Sequence, residues 1–371
     1  MRILHVVSLV DPEGSFGGPL RVAVNQLRAL QEEGHEVLLA AGVRGYDGSI
    51  PENFDGVPLK GFKAVTLVPG TGFAGLSAPG LTPWLLRVAS TFDAVHVHLA
   101  RDLVSLPAAA LLAARDVAFV AQTHGMIDVS DKALAQVLDA AMTRRTLRAA
   151  STIFALTALE KVDLAEVEPS LETVEVLHNG VPLTEVSAAP HRSQEVLFLA
   201  RVATRKRPVR FVEMAQRVAA AHPEATFALV GPDEGEGGAV RAMLQRDDAN
   251  GRIRYEGALA PDRTLERMSR AAVYVLPADH EPFGMTIFEA MSVGLPVVVM
   301  SDCGLAAEVR EAGGEVVTDE TLEERVAALL ADPSRRLTSG ESGRALVRER
   351  AGMTVIVERL LTAYRRSGMR A

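Results

Sequence analysis

Residues 280–300, HEPFGMTIFEAMSVGLPVVVM, place two carboxylates, Glu281 and Glu289, eight positions apart around a Phe-Gly turn. Ionised carboxylates accept hydrogen bonds from vicinal hydroxyls, and the first amides of a helix receive an anionic or hydroxyl oxygen. The apolar spacing of MTIFEAMSVG predicts that a helix begins near Met285, so the amides of Phe283, Gly284, Met285 and Thr286 fall beside the acids. A local explanation competes for one of the two. Thr286 as N-cap with Glu289 three residues later would make a capping box. That accounts for Glu289 and leaves Glu281 unexplained.

A basic turn offers the complementary chemistry. FLARVATRKRPVRF reads as a strand, then a loop holding Arg201, Arg205, Lys206 and Arg207, then a helix opened by Pro208. A helix N-terminus and arginine forks together suit a phosphate, although a solvated basic turn would carry the same residues. Two glycine-rich turns also follow strands. Gly14, Gly17 and Gly18 let backbone come close to a ligand, whereas Asp233, Glu234 and Glu236 in VGPDEGEGGAV would repel a pyrophosphate, so that loop is read as bordering a nucleotide. Neither turn is a Walker A sequence or a strict G-x-G-x-x-G.

Three histidines stand at strand positions. His96 and His98 lie two apart and face the same way, but the sequence shows no third metal ligand beside them. His124, in QTHGM, closes another strand, where either a turn-capping role or a substrate contact is available.

The elements that position these residues alternate: short apolar runs such as ILHVVSLV, EVLLAAG, AVHVHLA and FVAQTHG, separated by amphipathic segments. This is the pattern of a parallel sheet covered on both faces. It lapses into turn formers over 177–194, read as a linker, and restarts at EVLFLA. A length of 371 residues fits two domains, and two domains imply a cleft. The formal charge of -8 argues against general nucleic-acid binding, which needs a basic face. Cys303, the single cysteine, forms no intrachain disulfide and fits a reducing, cytoplasmic compartment. MRILHVVSLV reads as a first strand rather than a signal peptide, and no apolar run reaches the roughly 18–20 residues that cross a bilayer. Composition neither requires nor forbids peripheral membrane contact.

EPFGMTIFEA, with the E-x7-E pair Glu281 and Glu289, resembles the retaining glycosyltransferases of the GT-B fold, family 4, the glycosyl transferases group 1. MSVGLPVVV, ARVATRK, HNGV, QTHG and GGPLRVAVNQL extend the likeness over both halves in order. The resemblance implies an α/β chain of two doubly wound, Rossmann-like domains facing a central cleft. Residues 1–180 would form the acceptor side, 181–354 would bind the nucleotide sugar, and a helix in 355–371 would pack back on the first domain. It further implies that Arg201 and Lys206 neutralise the donor diphosphate, Glu289 holds the ribose, and Glu281 binds the transferred sugar. Residues 283–286 would offer amides, Gly17 and Gly18 would approach the diphosphate, and His124 would lie near the reacting carbon, making Glu281, His124, Arg201 and Lys206 the catalytic set. The chain departs from the family where Ala200 and Arg207 stand at common glycine positions and Pro182 at a common aspartate.

The implied reaction moves a hexose-type sugar from a nucleotide diphosphate sugar, UDP by family frequency, to a hydroxyl on a saccharide, lipid-linked or small-molecule acceptor. It needs no cofactor, and no Asp-x-Asp triplet is present to hold a metal. Retention by same-face attack needs no carboxylate nucleophile. A sugar-nucleotide epimerase of similar architecture and a non-catalytic sugar-nucleotide sensor are the competing readings. The glycine-rich segment 70–80 is the expected acceptor loop.

Overall fold

The computed structural model describes residues 1–12, 17–181 and 183–367. Gly14 and Pro182 lie outside them. In chain order the strands are β1 (Arg2–Val10), β2 (Glu36–Val43), β3 (Asn53–Phe54), β4 (Val57–Lys63), β5 (Val65–Thr66), β6 (Leu76–Ser77), β7 (Ala94–His98), β8 (Val120–Gln122), β9 (Thr152–Ala155) and β10 (Val174–Val176). They continue as β11 (Glu195–Leu199), β12 (Thr226–Val230), β13 (Ile253–Gly257), β14 (Val273–Leu276), β15 (Val297–Met300) and β16 (Glu315–Val317).

The chain divides into two compact units, 1–180 with 353–371, and 181–352. The first carries a sheet ordered β10-β9-β8-β7-β1-β2-β4-β3, parallel except for the β3 hairpin. The second carries β13-β12-β11-β14-β15-β16, parallel throughout. Strand order reverses between β1 and β7 in one sheet and between β11 and β14 in the other. At such a switch point the helices leave on opposite faces, and the strands' carboxyl ends open a crevice for ligands.

Alternation along β1 explains how both faces of the first sheet are covered. Leu4 and Val6 join one buried cluster with Leu106, Ala109 and Ile127. Ile3 and Val7 join another with Leu20, Leu27, Val357 and Leu360, which come from helices Gly17–Glu32 and Met353–Arg366. The final helix is thus an integral wall of the first unit's core, beginning two residues earlier than the segment 355–371.

The linker-like stretch is firmly packed. His178 and Asn179 are buried, Val181 donates to Ala351 O, and Ala188 donates to Val293 O at 2.6 Å. These backbone N–H groups are committed to carbonyls of the second unit rather than left as slack. Arg336, fully buried, donates to the carbonyls of Pro190 (2.8 Å), Leu329 (2.6 Å), Leu330 (2.5 Å) and Ser193 (3.3 Å). Burial lowers the Arg336 pKa, and the neighbouring Asp332 charge opposes that shift. Because Arg336→Met would orphan all four acceptors, it is expected to cost about 3 kcal/mol or more, read as a lower unfolding midpoint. An unchanged midpoint would mean that water replaces the guanidinium.

Segment 70–80, the expected acceptor loop, carries secondary structure of its own. Gly72–Gly75 form one 3-10 turn, β6 pairs antiparallel with β5, and Leu76, Ser77 and Ala78 are buried. Among the described residues no helix is long and apolar enough to cross a membrane.

Candidate active site

The carboxyl ends of β11 and β14, which flank the second sheet's switch point, carry the basic turn and the first carboxylate. Lys206 ends a 3-10 turn, Thr204–Lys206, and its ammonium contacts the Glu281 carboxylate. Side-chain exposure is 11% for Lys206 and 6% for Glu281, so the pair is close to fully desolvated. The loops that bear them are tied together where Asp279 N donates to Arg205 O at 2.8 Å, and Gly304 N donates to Glu281 O at 2.8 Å. Cys303, beneath this turn, has its thiol pushed up to about 12, mainly by burial.

The other cations of the turn are dispersed. Arg201 Nη1 donates to Glu234 at 2.8 Å, with its side chain 54% exposed. Arg207 donates to both carboxylate oxygens of Asp319, which Arg210 also engages. Arg207 has φ 51, the left-handed conformation that glycine adopts without strain, and it caps helix Pro208–Ala221. Arg207 is therefore a structural residue whose ion pairs offset its backbone cost. Charge counting in the sequence could not separate it from Lys206.

The acidic glycine-rich loop after β12 folds onto this turn. Glu234 takes Arg201, Glu236 accepts from Thr204 Oγ1, and Asp233 Oδ1 accepts from Gly235 N and Gly237 N at the start of the next helix. Gly231 is obligatory here, since a Cβ on it would lie 1.8 Å from Ala200 O. Gly231→Ala is expected to push the Arg201 loop off β12 and to destabilise the chain by about 2–4 kcal/mol, on the scale of a severe packing error. Wild-type thermal stability in that variant would show that the approach is not rigid.

The capping box predicted at Thr286 and Glu289 does not form. Helix Met285–Ser292 is capped by Gly284 at φ 67 with no side-chain hydrogen bond, so Thr286 already sits inside the first turn. Thr286 Oγ1 meets the Tyr274 hydroxyl at 2.6 Å, and Tyr274 donates to Leu199 O at 3.1 Å. Tyr274, within β14, therefore joins the end of β11 to the start of the helix, a role with no signature in VYVL. Burial first, then the charges of Glu281 and Glu289, raise its pKa, against the Thr286 bond, so it stays a neutral donor near both acids. Phe283 anchors the turn edge-on against Phe288, with ring centres 5.2 Å apart. Met285 and Thr286 supply first-turn amides that have no acceptor within the helix. Glu289 is partly buried one turn further on.

In the first unit, Gly17 and Gly18 are the opening residues of helix Gly17–Glu32 rather than loop, and a Cβ on Gly18 would meet open space. His124 follows β8 at φ 55 and is 9% exposed. Its turn is held by Glu160, whose carboxylate accepts from Thr123 Oγ1 and from the amides of Gly125 and Leu156. His98 Nδ1 lies 2.7 Å from His124 Nε2. The histidine missing from the sequence reading is His5, which pairs in register with His96 across β1 and β7. Its histidine partners lie more than ninety positions away and Tyr364 lies 359 away, so no local motif could disclose it. Burial pushes His124 down to about 3 and holds His5, His96 and His98 well below the usual histidine value, with the neighbouring imidazoles adding to it in those three.

Residues 17–180 match the glycosyl transferase 4-like domain, and residues 183–346 match glycosyl transferases group 1. The GDP-mannose-dependent monoacylated alpha-(1-6)-phosphatidylinositol monomannoside mannosyltransferase of Corynebacterium glutamicum is 28% identical over 172 residues, 43% of this chain and 44% of that protein. The alpha-maltose-1-phosphate synthase of Mycobacterium tuberculosis is 26% identical over 332 residues, 80% of this chain and 85% of that protein. The fold also matches a crystal structure of Anabaena Alr3699/HepE in complex with UDP and glucose, with TM-score 0.73 and 18% identity over 97% of this chain and 98% of that chain. With both halves matched in order and each built as a Rossmann-like domain, the chain belongs to the group 1 glycosyltransferases of the GT-B fold.

Proposed function

We propose that the protein transfers a hexose-type sugar from a nucleotide diphosphate sugar, with a UDP-sugar as first candidate, to an acceptor hydroxyl, with retention and without a metal ion. The observation that carries this reading is the desolvated Lys206–Glu281 pair at the switch point of the second sheet, one turn before a helix N-terminus. Breaking the glycosyl–phosphate bond leaves negative charge on the diphosphate, so stabilising that charge is the main electrostatic task. Lys206 has three donors, and can keep Glu281 while giving another to a phosphate oxygen. The Arg201–Glu234 ion pair is exposed, worth about 0–1 kcal/mol, so Arg201 exchanges Glu234 for phosphate at little cost. Glu281 would then accept from sugar hydroxyls and Glu289 from the ribose, with the amides of residues 283–286 facing the sugar and phosphate. Gly17 and Gly18 would serve the diphosphate, and His124 the sugar near its reacting carbon. Cys303, buried as a thiol, suits a reducing cytoplasm. The acceptor is a saccharide, a lipid-linked sugar or a small molecule.

The test is a panel of nucleotide sugars scored for protection against thermal unfolding, followed by nucleotide release with saccharide, lipid-linked and small-molecule acceptors. Transfer with the anomeric configuration kept supports the reading. An epimerised donor formed without acceptor would replace it by isomerisation. Tight donor binding with no nucleotide released under any acceptor would make the protein a sensor.

A further inference from the structure

Four histidines and one tyrosine of the first unit form an unbroken line of hydrogen bonds. His124 Nε2 lies 2.7 Å from His98 Nδ1, and His98 Nε2 lies 3.0 Å from His5 Nδ1. His5 Nε2 lies 3.0 Å from the Tyr364 hydroxyl, which lies 2.8 Å from His96 Nδ1. The two ends, His124 Nδ1 and His96 Nε2, are buried and have no partner. Period-two geometry places His5, His96 and His98 on the face covered by the C-terminal helix, from which Tyr364 reaches in.

Proton counting constrains this line. A neutral imidazole carries one N–H and one bare nitrogen. His5 and His98 each use both nitrogens, so each must donate on one side and accept on the other. The Tyr364 hydroxyl has one proton and sits between two nitrogens, so it relays the same direction rather than reversing it. Five protons serve four links, and one proton is left at an end. At His96 it would be a fully buried N–H with no acceptor, and orphaned buried N–H groups are rarer than under-used acceptors. The proton at His124 also has no protein acceptor, but His124 is 9% exposed and follows the carboxyl end of β8, where a bound oxygen can supply one, whereas His96 is 0% exposed inside the sheet.

We propose that Tyr364, His5 and His98 are positioning residues that fix the tautomer of His124 through this one-way line, so that His124 carries its proton on Nδ1 and offers a donor to an oxygen of the bound sugar. The order is His96 Nδ1–H to Tyr364, Tyr364 O–H to His5 Nε2, His5 Nδ1–H to His98 Nε2, and His98 Nδ1–H to His124 Nε2. All four rings are then Nδ1–H imidazoles. Their depressed pKa values are consistent with four neutral rings. The catalytic consequence rests on the reading of His124 given above; the proton order does not.

Two-bond proton–nitrogen spectra of histidine-labelled full-length protein test it directly, with His124→Gln identifying one ring. The expected wild-type spectrum has a protonated Nδ1 on His5, His96, His98 and His124. A proton on His124 Nε2 overturns the proposal. Tyr364→Phe removes the hydroxyl that orders the line, and is expected to let the His124 Nε2–H tautomer appear. It should also lower kcat about tenfold, the scale of one hydrogen bond, with donor KM changed less than about twofold. An unaltered ring spectrum in that variant overturns the proposal, and if the variant fails to fold, the wild-type spectrum decides. Nitrogen atoms of His5, His96 and His98 lie within 4.8 Å of one another. A stoichiometric transition metal in protein purified without added metal would therefore also overturn it, because ligation takes the lone pairs that the line requires. If no nucleotide sugar is ever turned over, the functional reading falls while the spectrum still decides the proton order.

Discussion

Lys206→Met is expected to lower kcat/KM for the sugar-nucleotide donor by about 10²–10³-fold. A single charge-assisted hydrogen bond contributes about 1.5–3 kcal/mol, which alone is about 10–150-fold. The remainder comes from Glu281, which would keep a bare negative charge beside the diphosphate. The same substitution should destabilise the free protein by about 3 kcal/mol, because removing one partner of a nearly buried ion pair leaves the other desolvated and uncompensated. The double variant Lys206→Met with Glu281→Gln separates these effects. Neutralising the stranded carboxylate should recover most of the stability and none of the turnover. Donor kinetics at wild-type level in Lys206→Met would remove the ammonium from the reaction altogether.

The second large effect is loss of the first unit's stability in mild acid. His5, His96, His98 and His124 have folded pKa values depressed below the unfolded value of about 6.5, so the unfolded chain binds more protons once the pH drops under that level. Stability is thus fully present above about pH 7 and is lost as the pH falls from about 6.5 toward about 3, the level reached by His124. At about pH 5.5 each histidine costs about 1.4 kcal/mol. Four together approach about 5–6 kcal/mol, comparable to the whole stability of a typical domain. Asp102 and Glu160, whose pKa values burial raises, contribute with the opposite sign, because the folded chain takes up their protons above the ordinary carboxylate range of about 4 and so gains stability as the pH falls. Urea unfolding at about pH 7.5, 6.5 and 5.5, with proton uptake followed in unbuffered solution, is the measurement. Uptake approaching four protons at the lowest pH is expected, and about one fewer in His96→Phe. A pH-independent midpoint would show that charged imidazoles are tolerated inside.

The amino-acid sequence by itself determined the architecture. Strand and helix periods are local, so buried runs such as VYVL and VVVM, broken by polar turns, specify parallel strands and place Lys206 and Glu281 at strand ends. What the sequence could not decide is which of several similar side chains meet. Four cations occupy 201–207, yet only Lys206 reaches Glu281, because Arg207 is committed to Asp319, more than a hundred positions on, and Arg201 to Glu234. The helix start at Gly284 was set by a positive φ beside Glu281, and Thr286 was claimed by Tyr274, so the local rule for a capping box lost to tertiary packing. The histidine line is the extreme case. His5, His98, His124 and Tyr364 are brought together by strand register and by a C-terminal helix folded onto the first sheet. Pairings over such separations leave no periodic trace, since periodicity records which face a residue takes and not who stands opposite.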